Sequence, residues 1–365
     1  MNKPYNFFSG PAILPESVLQ KAADAIHNFE GTGLSILEIS HRSKPFVAAM
    51  EEARTLVKQL LKLDDSKEVF FLQGGASLQF CMVPYNLLGA NETAAYLDTG
   101  HWAHEAIKEA ARFGNTKILG SSADVNYNYI PKKWLQDFDD ANFAYTHITT
   151  NNTIYGNQWS STLLNDFIAK AKGVLVADMS SDIFSREIDY NRFDLIYAGA
   201  QKNMGPAGAT LVVIHKDLLK KKVRDSPAML DYSTHVAKES MHNTPSVFAV
   251  YVSLLTLRWI DAKGLDAIEK ENDIKAQTLY RAIDASTIFE GTVQHEDRSK
   301  MNVCFRLKDK SQEAQFLKFA EENNLFGLAG HRSVGGFRAS IYNAMPLEGV
   351  QHLVKAIQEF ENKNL

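Results

Sequence analysis

The chain has 365 residues, 45% of them hydrophobic and 22% charged, with a net charge of −4. That length and apolar share suffice for two domains around a large core, and the slightly acidic balance gives no electrostatic basis for binding nucleic acid. The two cysteines, Cys81 and Cys304, lie far apart in apolar runs and read as reduced core residues; with no apolar signal run over residues 1–6 and no stretch of membrane-spanning length, the expected compartment is the cytoplasm.

Asn6-Phe7-Phe8-Ser9-Gly10-Pro11-Ala12 reads as a turn-rich arm, and Pro15-Glu16 then opens a helix with a proline and an acid at its N-terminus. A polar cluster, Ser40-His41-Arg42-Ser43, precedes an amphipathic helix over 45–61. There Phe46, Met50, Ala53, Val57 and Leu60 recur at helical spacing and predict core. An apolar strand over 69–72 leads into Gln73-Gly74-Gly75-Ala76-Ser77 and a helix over 78–87. Strand, small-residue turn and helix start form an anion site from free amides and the positive dipole end. The same segment also reads as an ordinary turn with Ser77 as N-cap. It has neither the Gly-Lys-Ser/Thr of a Walker loop nor G-x-G-x-x-G spacing.

A strand over 93–97 is followed by Asp98-Thr99-Gly100-His101-Trp102 and another helix. Trp102 at such a junction is either a packing anchor or, in a crevice at the strand ends, a plate for a cofactor ring. His101 and His104 have i,i+3 spacing, but no further ligand cluster supports a metal site. The next strand, over 142–148, ends in the polar loop Thr149-Thr150-Asn151-Asn152-Thr153-Ile154-Tyr155-Gly156, which is a plain turn or a set of donors for a ligand. An almost purely apolar strand over 173–177 stops on Asp178. Strands of that kind belong to parallel sheets, whose ligands sit beyond the carboxyl ends, and a buried carboxylate there needs a cationic partner.

The apolar run 195–198 then meets Gly199-Ala200-Gln201-Lys202 and a Gly/Pro-rich turn before a second buried strand over 209–214. A lysine on a tight turn between interior strands is poorly solvated. Its pKa falls, and the free amine becomes a nucleophile toward aldehydes. The small residues beside it leave room for a flat ring.

After residue 217 the character changes. An irregular segment ends in Met241-His242-Asn243-Thr244-Pro245, and long helices follow over 246–263 and 265–283. Strands over 301–307 and 338–342 alternate with helices over 312–323 and 347–361. Between them, Gly330-His331-Arg332-Ser333-Val334-Gly335-Gly336, with Arg338 just beyond, reads as an anion-binding loop or a flexible surface loop. The expected fold is therefore α/β: an arm (1–15), a large domain with a mainly parallel sheet (16–260) and a smaller C-terminal α+β domain (261–365).

A lysine able to form an imine, an aspartate at a strand end, an aromatic plate and a phosphate cradle together describe a pyridoxal 5'-phosphate site. Lys202 would hold the aldehyde, Asp178 would keep the pyridine nitrogen protonated, Trp102 would stack on the ring, and Ser77 with the Gly74-Gly75 turn would take the phosphate. Through Phe8-Ser9-Gly10-Pro11-Ala12, Ile39-Ser40-His41-Arg42-Ser43, Gly74-Gly75-Ala76, Gly100-His101-Trp102, Asn151-Asn152-Thr153-Ile154-Tyr155-Gly156, Ala177-Asp178-Met179-Ser180-Ser181, Ala198-Gly199-Ala200-Gln201-Lys202-Asn203, Asn243-Thr244-Pro245 and Gly330-His331-Arg332-Ser333-Val334-Gly335-Gly336, the chain resembles the phosphoserine aminotransferase family. These are class V, fold-type I pyridoxal-phosphate enzymes, and the resemblance runs from residue 6 to residue 346.

The resemblance implies Lys202 as Schiff-base lysine and proton shuttle, Asp178 as pyridinium partner and Trp102 as stacking ring. It implies Thr153 beside the cofactor's phenolic oxygen, and Ala76, Ser77 and Gln201 at its phosphate, joined by Asn243 and Thr244 from the other subunit of a homodimer. Arg42 and Arg338 match the substrate-carboxylate positions, and His41, His331 and Arg332 those near the substrate phosphate. Ser77 stands where some members carry arginine, which leaves its phosphate contact open. The implied reaction exchanges the amino group between O-phospho-L-serine with 2-oxoglutarate and 3-phosphohydroxypyruvate with L-glutamate, in serine biosynthesis. Action on 4-phosphohydroxy-L-threonine, in pyridoxine biosynthesis, is open. Two other readings are a class V lyase such as a cysteine desulfurase, which needs a nucleophilic cysteine, and a metabolite-binding dimer that has lost the lysine or the aspartate.

Overall fold

The computed structural model describes residues 4–364. Its centre is a seven-stranded sheet formed, in chain order, by β1 (Lys67–Leu72), β2 (Thr93–Asp98), β3 (Asn115–Ser121), β4 (Thr146–Thr149), β5 (Leu175–Asp178), β6 (Leu195–Gly199) and β7 (Thr210–His215). The spatial order is β1-β7-β6-β5-β4-β2-β3. Strand β7 alone runs antiparallel to its neighbours; β3, β2, β4, β5 and β6 pair in parallel. Strands β5 and β6 are buried at every residue, which is why their sequences are apolar without alternation. Strand β3 forms the edge beside β2 and is half-exposed.

Helices α1 (Glu16–His27), α2 (Lys44–Leu60), α3 (Gly75–Leu87), α4 (His101–Ala110), α5 (Ser161–Lys170), α6 (Tyr232–Ala237), α7 (Val247–Lys263), α8 (Leu265–Ala285), α9 (Glu313–Glu322) and α10 (Leu347–Asn364) complete the chain. Buried residues of α1, α2, α5 and α7 pack on one face of the sheet, and those of α3, α4 and α6 on the other. Strands β8 (Phe289–Gly291), β9 (Asn302–Leu307) and β10 (Phe337–Ser340) form a separate antiparallel sheet. Its core, with Phe289, Phe305, Phe316, Phe337 and Phe360, also takes in Phe7 of the N-terminal arm. Helix α8 joins the two bodies: Leu265 and Ile268 enter the large core, while Leu279 and Ile283 enter the small one.

One expectation needs correcting. Helix α3 starts at Gly75, and Gly74 is its N-cap in the left-handed region (φ 87). Ser77 therefore lies inside the first turn and is not the cap. A serine cap was the natural reading of the sequence, but the preceding glycine can take a backbone conformation that a side chain would oppose. Among the described residues no helix is long and apolar enough to cross a membrane, and no group of three or more His, Cys, Asp and Glu is placed to hold a metal ion.

Candidate active site

Five strand ends of the large sheet converge on one cavity, in the position expected for a parallel α/β sheet. It holds about 530 Å³ of atom-free space, part of it open to solvent, and is lined by residues of α3, α4, the end of β4 and the loop after it, the end of β5 and the turn after β6. Of the residues singled out from the sequence, Ala76, Ser77, Trp102, Thr153, Asp178, Gln201 and Lys202 all line it. Phe80 also lines it, unforeseen from the sequence, as do Thr149, read there only as part of a turn or donor loop, and Ser180, read only as part of a motif. Only the pleat of the strands and the path of α3 place them there.

Lys202 sits half-buried on the turn after β6, and its Nζ donates to Thr153 Oγ1 at 2.8 Å. Burial pushes its pKa down to about 8; the Asp178 carboxylate pulls it back up, and the Arg338 guanidinium pushes it down. Asp178 is 4% exposed at the end of β5, and its Oδ1 accepts the backbone N–H of Ser180 at 2.9 Å. Burial holds the Asp178 carboxyl above its ordinary range, against the attraction of Lys202. A carboxylate so placed gains most from a cationic N–H donor inside the cavity. Thr149 Oγ1 is also buried and finds no hydrogen-bond partner among the described residues.

These groups fit a pyridinium ring that carries a phosphate arm. Asp178 offers a buried acceptor for a ring N–H, and Trp102 offers a flat apolar wall. The free amides at the start of α3 face an anion beside Ser77, and a Cβ built on Gly75 would meet open space.

Arg338 lines a separate depression with Ile154, Tyr155 and glycines of the 330–336 loop; neither it nor His331 nor Arg332 lines the lysine cavity. Arg338, on β10, donates from Nη2 to Ser9 Oγ at 2.7 Å and from Nη1 to the Thr153 carbonyl at 3.4 Å. Its Nε is buried without a partner among the described residues. The Ser9 carbonyl accepts from Tyr342 Oη at 2.8 Å, and Ala12 N–H donates to the Gln201 carbonyl at 2.9 Å. The N-terminal arm thus ties Arg338 to the lysine turn, a role for Ser9 that its place in the sequence did not disclose. The loop before β10 is closed by Gly330 N–H donating to the Gly336 carbonyl at 2.9 Å. It carries the exposed Arg332 and the half-buried His331.

His41, Arg42, Asn243 and Thr244 do not line the lysine cavity. His41 and Thr244 share a separate surface depression with Leu37 and Phe248. The Thr244 carbonyl accepts from Gln73 Nε2 at 2.9 Å, which places the segment beside the α3 turn from outside. Arg42 and Thr244 are exposed.

The class-V aminotransferase family model matches residues 4–353. The chain is similar to the phosphoserine aminotransferase of Flavobacterium johnsoniae, with 55% identity over 99% of both chains. It is also similar to that of Parabacteroides distasonis, with 51% identity over 99% of this chain and 100% of the relative. Among solved structures, the phosphoserine aminotransferase of Bacillus circulans subsp. alkalophilus superposes with a TM-score of 0.94 at 42% identity, over the whole of both chains. The pyridoxal-phosphate-bound phosphoserine aminotransferase of Trichomonas vaginalis gives a TM-score of 0.89 at 35% identity, covering 98% of this chain and 100% of the other.

Proposed function

This chain belongs to the phosphoserine aminotransferases of the class-V aminotransferase family, and on that premise we propose the reaction and the role of each side chain. The enzyme is a pyridoxal-phosphate-dependent aminotransferase. It moves the amino group between O-phospho-L-serine and 2-oxoglutarate, giving 3-phosphohydroxypyruvate and L-glutamate, in the cytoplasmic route to serine. The observation that carries this reading is one cavity lined by a lysine of lowered pKa, held to Thr153, and by a buried aspartate, with Arg338 reaching the Thr153 carbonyl from β10.

When bound, the cofactor supplies an aldehyde for amines to join and a ring that accepts electrons from the substrate's Cα. Lys202, with its amine free near pH 8, holds the cofactor and then carries the proton to and from the substrate's Cα. Asp178 keeps the proton on the ring nitrogen, and Thr153 orients the lysine through its hydroxyl. Trp102 covers one ring face. Ala76, Ser77 and Gln201 take the phosphate, with Asn243 and Thr244 of the partner subunit in a homodimer. Arg338 binds the carboxylate that every amino-acid substrate has, using the free Nε, and Arg42 of the partner subunit joins it. His331, Arg332 and the partner subunit's His41 read the phosphate that distinguishes phosphoserine from glutamate. The proposed activity extends to 4-phosphohydroxy-L-threonine, which carries the same phosphate on a longer chain and is a substrate class of pyridoxine biosynthesis.

A desulfurase is disfavoured. Burial pushes the Cys304 thiol up to about 12, and burial together with Glu109 raises Cys81, so neither offers a thiolate. The test is Arg332→Ala, followed by single-turnover absorbance in each half-reaction. A charge-assisted hydrogen bond is worth ~1.5–3 kcal/mol, so phosphoserine should lose roughly 10- to 150-fold in kcat/KM and glutamate much less. Equal losses would mean that the loop supports the site generally and does not read the phosphate.

A further inference from the structure

His101 was left without a role above. It opens α4 immediately before Trp102, and its ring meets that of Trp102 edge-on, with centroids 4.8 Å apart. On its other side is His331 of the small-domain loop, with ring centroids 6.1 Å apart and planes inclined by 32°. The pair therefore links α4 to the 330–336 loop beside Trp102, which lines the lysine cavity, although neither histidine lines the cavity itself. We infer that His101 reads the phosphate of the substrate's side chain, clamping it together with His331 from opposite walls of the crevice.

Three features of the geometry carry this. First, the His331 tautomer is set by its loop. Ser333 backbone N–H approaches His331 Nδ1 at 3.3 Å and Ser333 Oγ lies 2.7 Å from it, so Nδ1 accepts and the proton of the neutral ring sits on Nε2. Second, the surroundings are cationic. Burial lowers the His331 pKa first, and Arg338, His101 and Arg332 lower it further. A dianion beside His331 favours its charged form and so opposes these influences. Third, the acid one turn along the helix, Glu105, is engaged mainly by a lysine, with His101 a lesser charge acting on it. Glu105 accepts from Lys108 Nζ at 2.9 Å, and that bond is the main cause of its lowered pKa. A carboxylate side chain such as glutamate's has one charge and two oxygens. A phosphate monoester presents three oxygens to two rings and an arginine.

The inference rests on the reading that the 330–336 loop selects the phosphate, and the experiment keeps the two separable. Wild type, His101→Ala, His101→Gln and Arg332→Ala are each measured in single-turnover half-reactions with O-phospho-L-serine and with L-glutamate. Each is also titrated with inorganic phosphate as a competitor of phosphoserine. His101→Ala should weaken apparent phosphoserine affinity about tenfold and weaken phosphate competition by a similar factor, with a change of less than about twofold for glutamate. His101→Gln, which keeps an N–H donor, should recover part of both losses. Equal losses with the two amino acids would overturn the inference, placing His101 as support for Trp102. Unchanged phosphate competition would overturn it as well. If Arg332→Ala is selective while His101→Ala is not, only this inference fails; if Arg332→Ala is unselective, the loop reading fails and the His101 arm is scored on its own result.

Discussion

Lys202 gives the sharpest quantitative expectation, because three charges around it act in known directions. Its pKa is pushed down to about 8 by burial. At pH 7.5 about a quarter of the cofactor-free molecules then carry the neutral amine, against about one in a thousand at the ordinary lysine value. Asp178→Asn removes the largest upward influence, so the midpoint should fall below about 8; Arg338→Gln removes a downward one, so it should rise. The sign also bears on stability. A lysine whose folded pKa lies below its unfolded value costs the fold free energy at low pH, and that cost is relieved as pH climbs from the folded value toward the unfolded one. The assay is competitive acetylation of cofactor-free protein across pH 6–11, with the Lys202 peptide quantified by mass spectrometry against exposed lysines. A Lys202 midpoint near its ordinary value, or movement of the two variants in the same direction, would refute the electrostatic account.

Lys275 is 1% exposed and donates to the carbonyls of Ile341 and Tyr342 at 3.0 and 2.7 Å, so Lys275→Met should destabilise by ~2–4 kcal/mol by leaving both acceptors unpaired. Burial pushes its pKa down to about 7, so denaturant titrations should find wild type gaining stability over Lys275→Met as pH rises from 7 toward 10. Gly330→Ala would drive a methyl group into the Gly335 carbonyl oxygen; displacement of the loop should slow the phosphoserine half-reaction roughly 100-fold, with Tm by scanning calorimetry little changed. Lys202→Ala and Arg42→Ala should each be inactive alone. If Arg42 serves the partner's site, mixing them after reversible dissociation should restore about a quarter of wild-type activity, since about half the dimers are hybrids with one intact site; no recovery would place Arg42 in its own chain's site.

What the sequence disclosed follows from how many residues each feature needs. Lys202 and Asp178 were legible because each ends a strand buried on both faces, and such strands are apolar at every position: Leu195 to Ala198 before the lysine, Leu175 to Ala177 before the aspartate. A polar residue that closes a run of that kind stands out locally. Strand β3 was not read, because on the sheet edge its Lys117, Gly120 and Ser121 break any apolar pattern. Helix α5 was missed although Ser160 caps it by accepting from Leu163 N–H at 3.2 Å; a serine among other serines carries little signal. Long-range contacts were the hardest to read. Ser9 meets Arg338 across 329 positions, and His101 faces His331 only because α4 and the 330–336 loop close one crevice from two domains. His41, Arg42, Asn243 and Thr244 lie away from the lysine cavity, and neither periodicity nor spacing within one copy of the chain gives them a role. Their local appearance is that of any polar loop, and only the resemblance to a known family singled out these four.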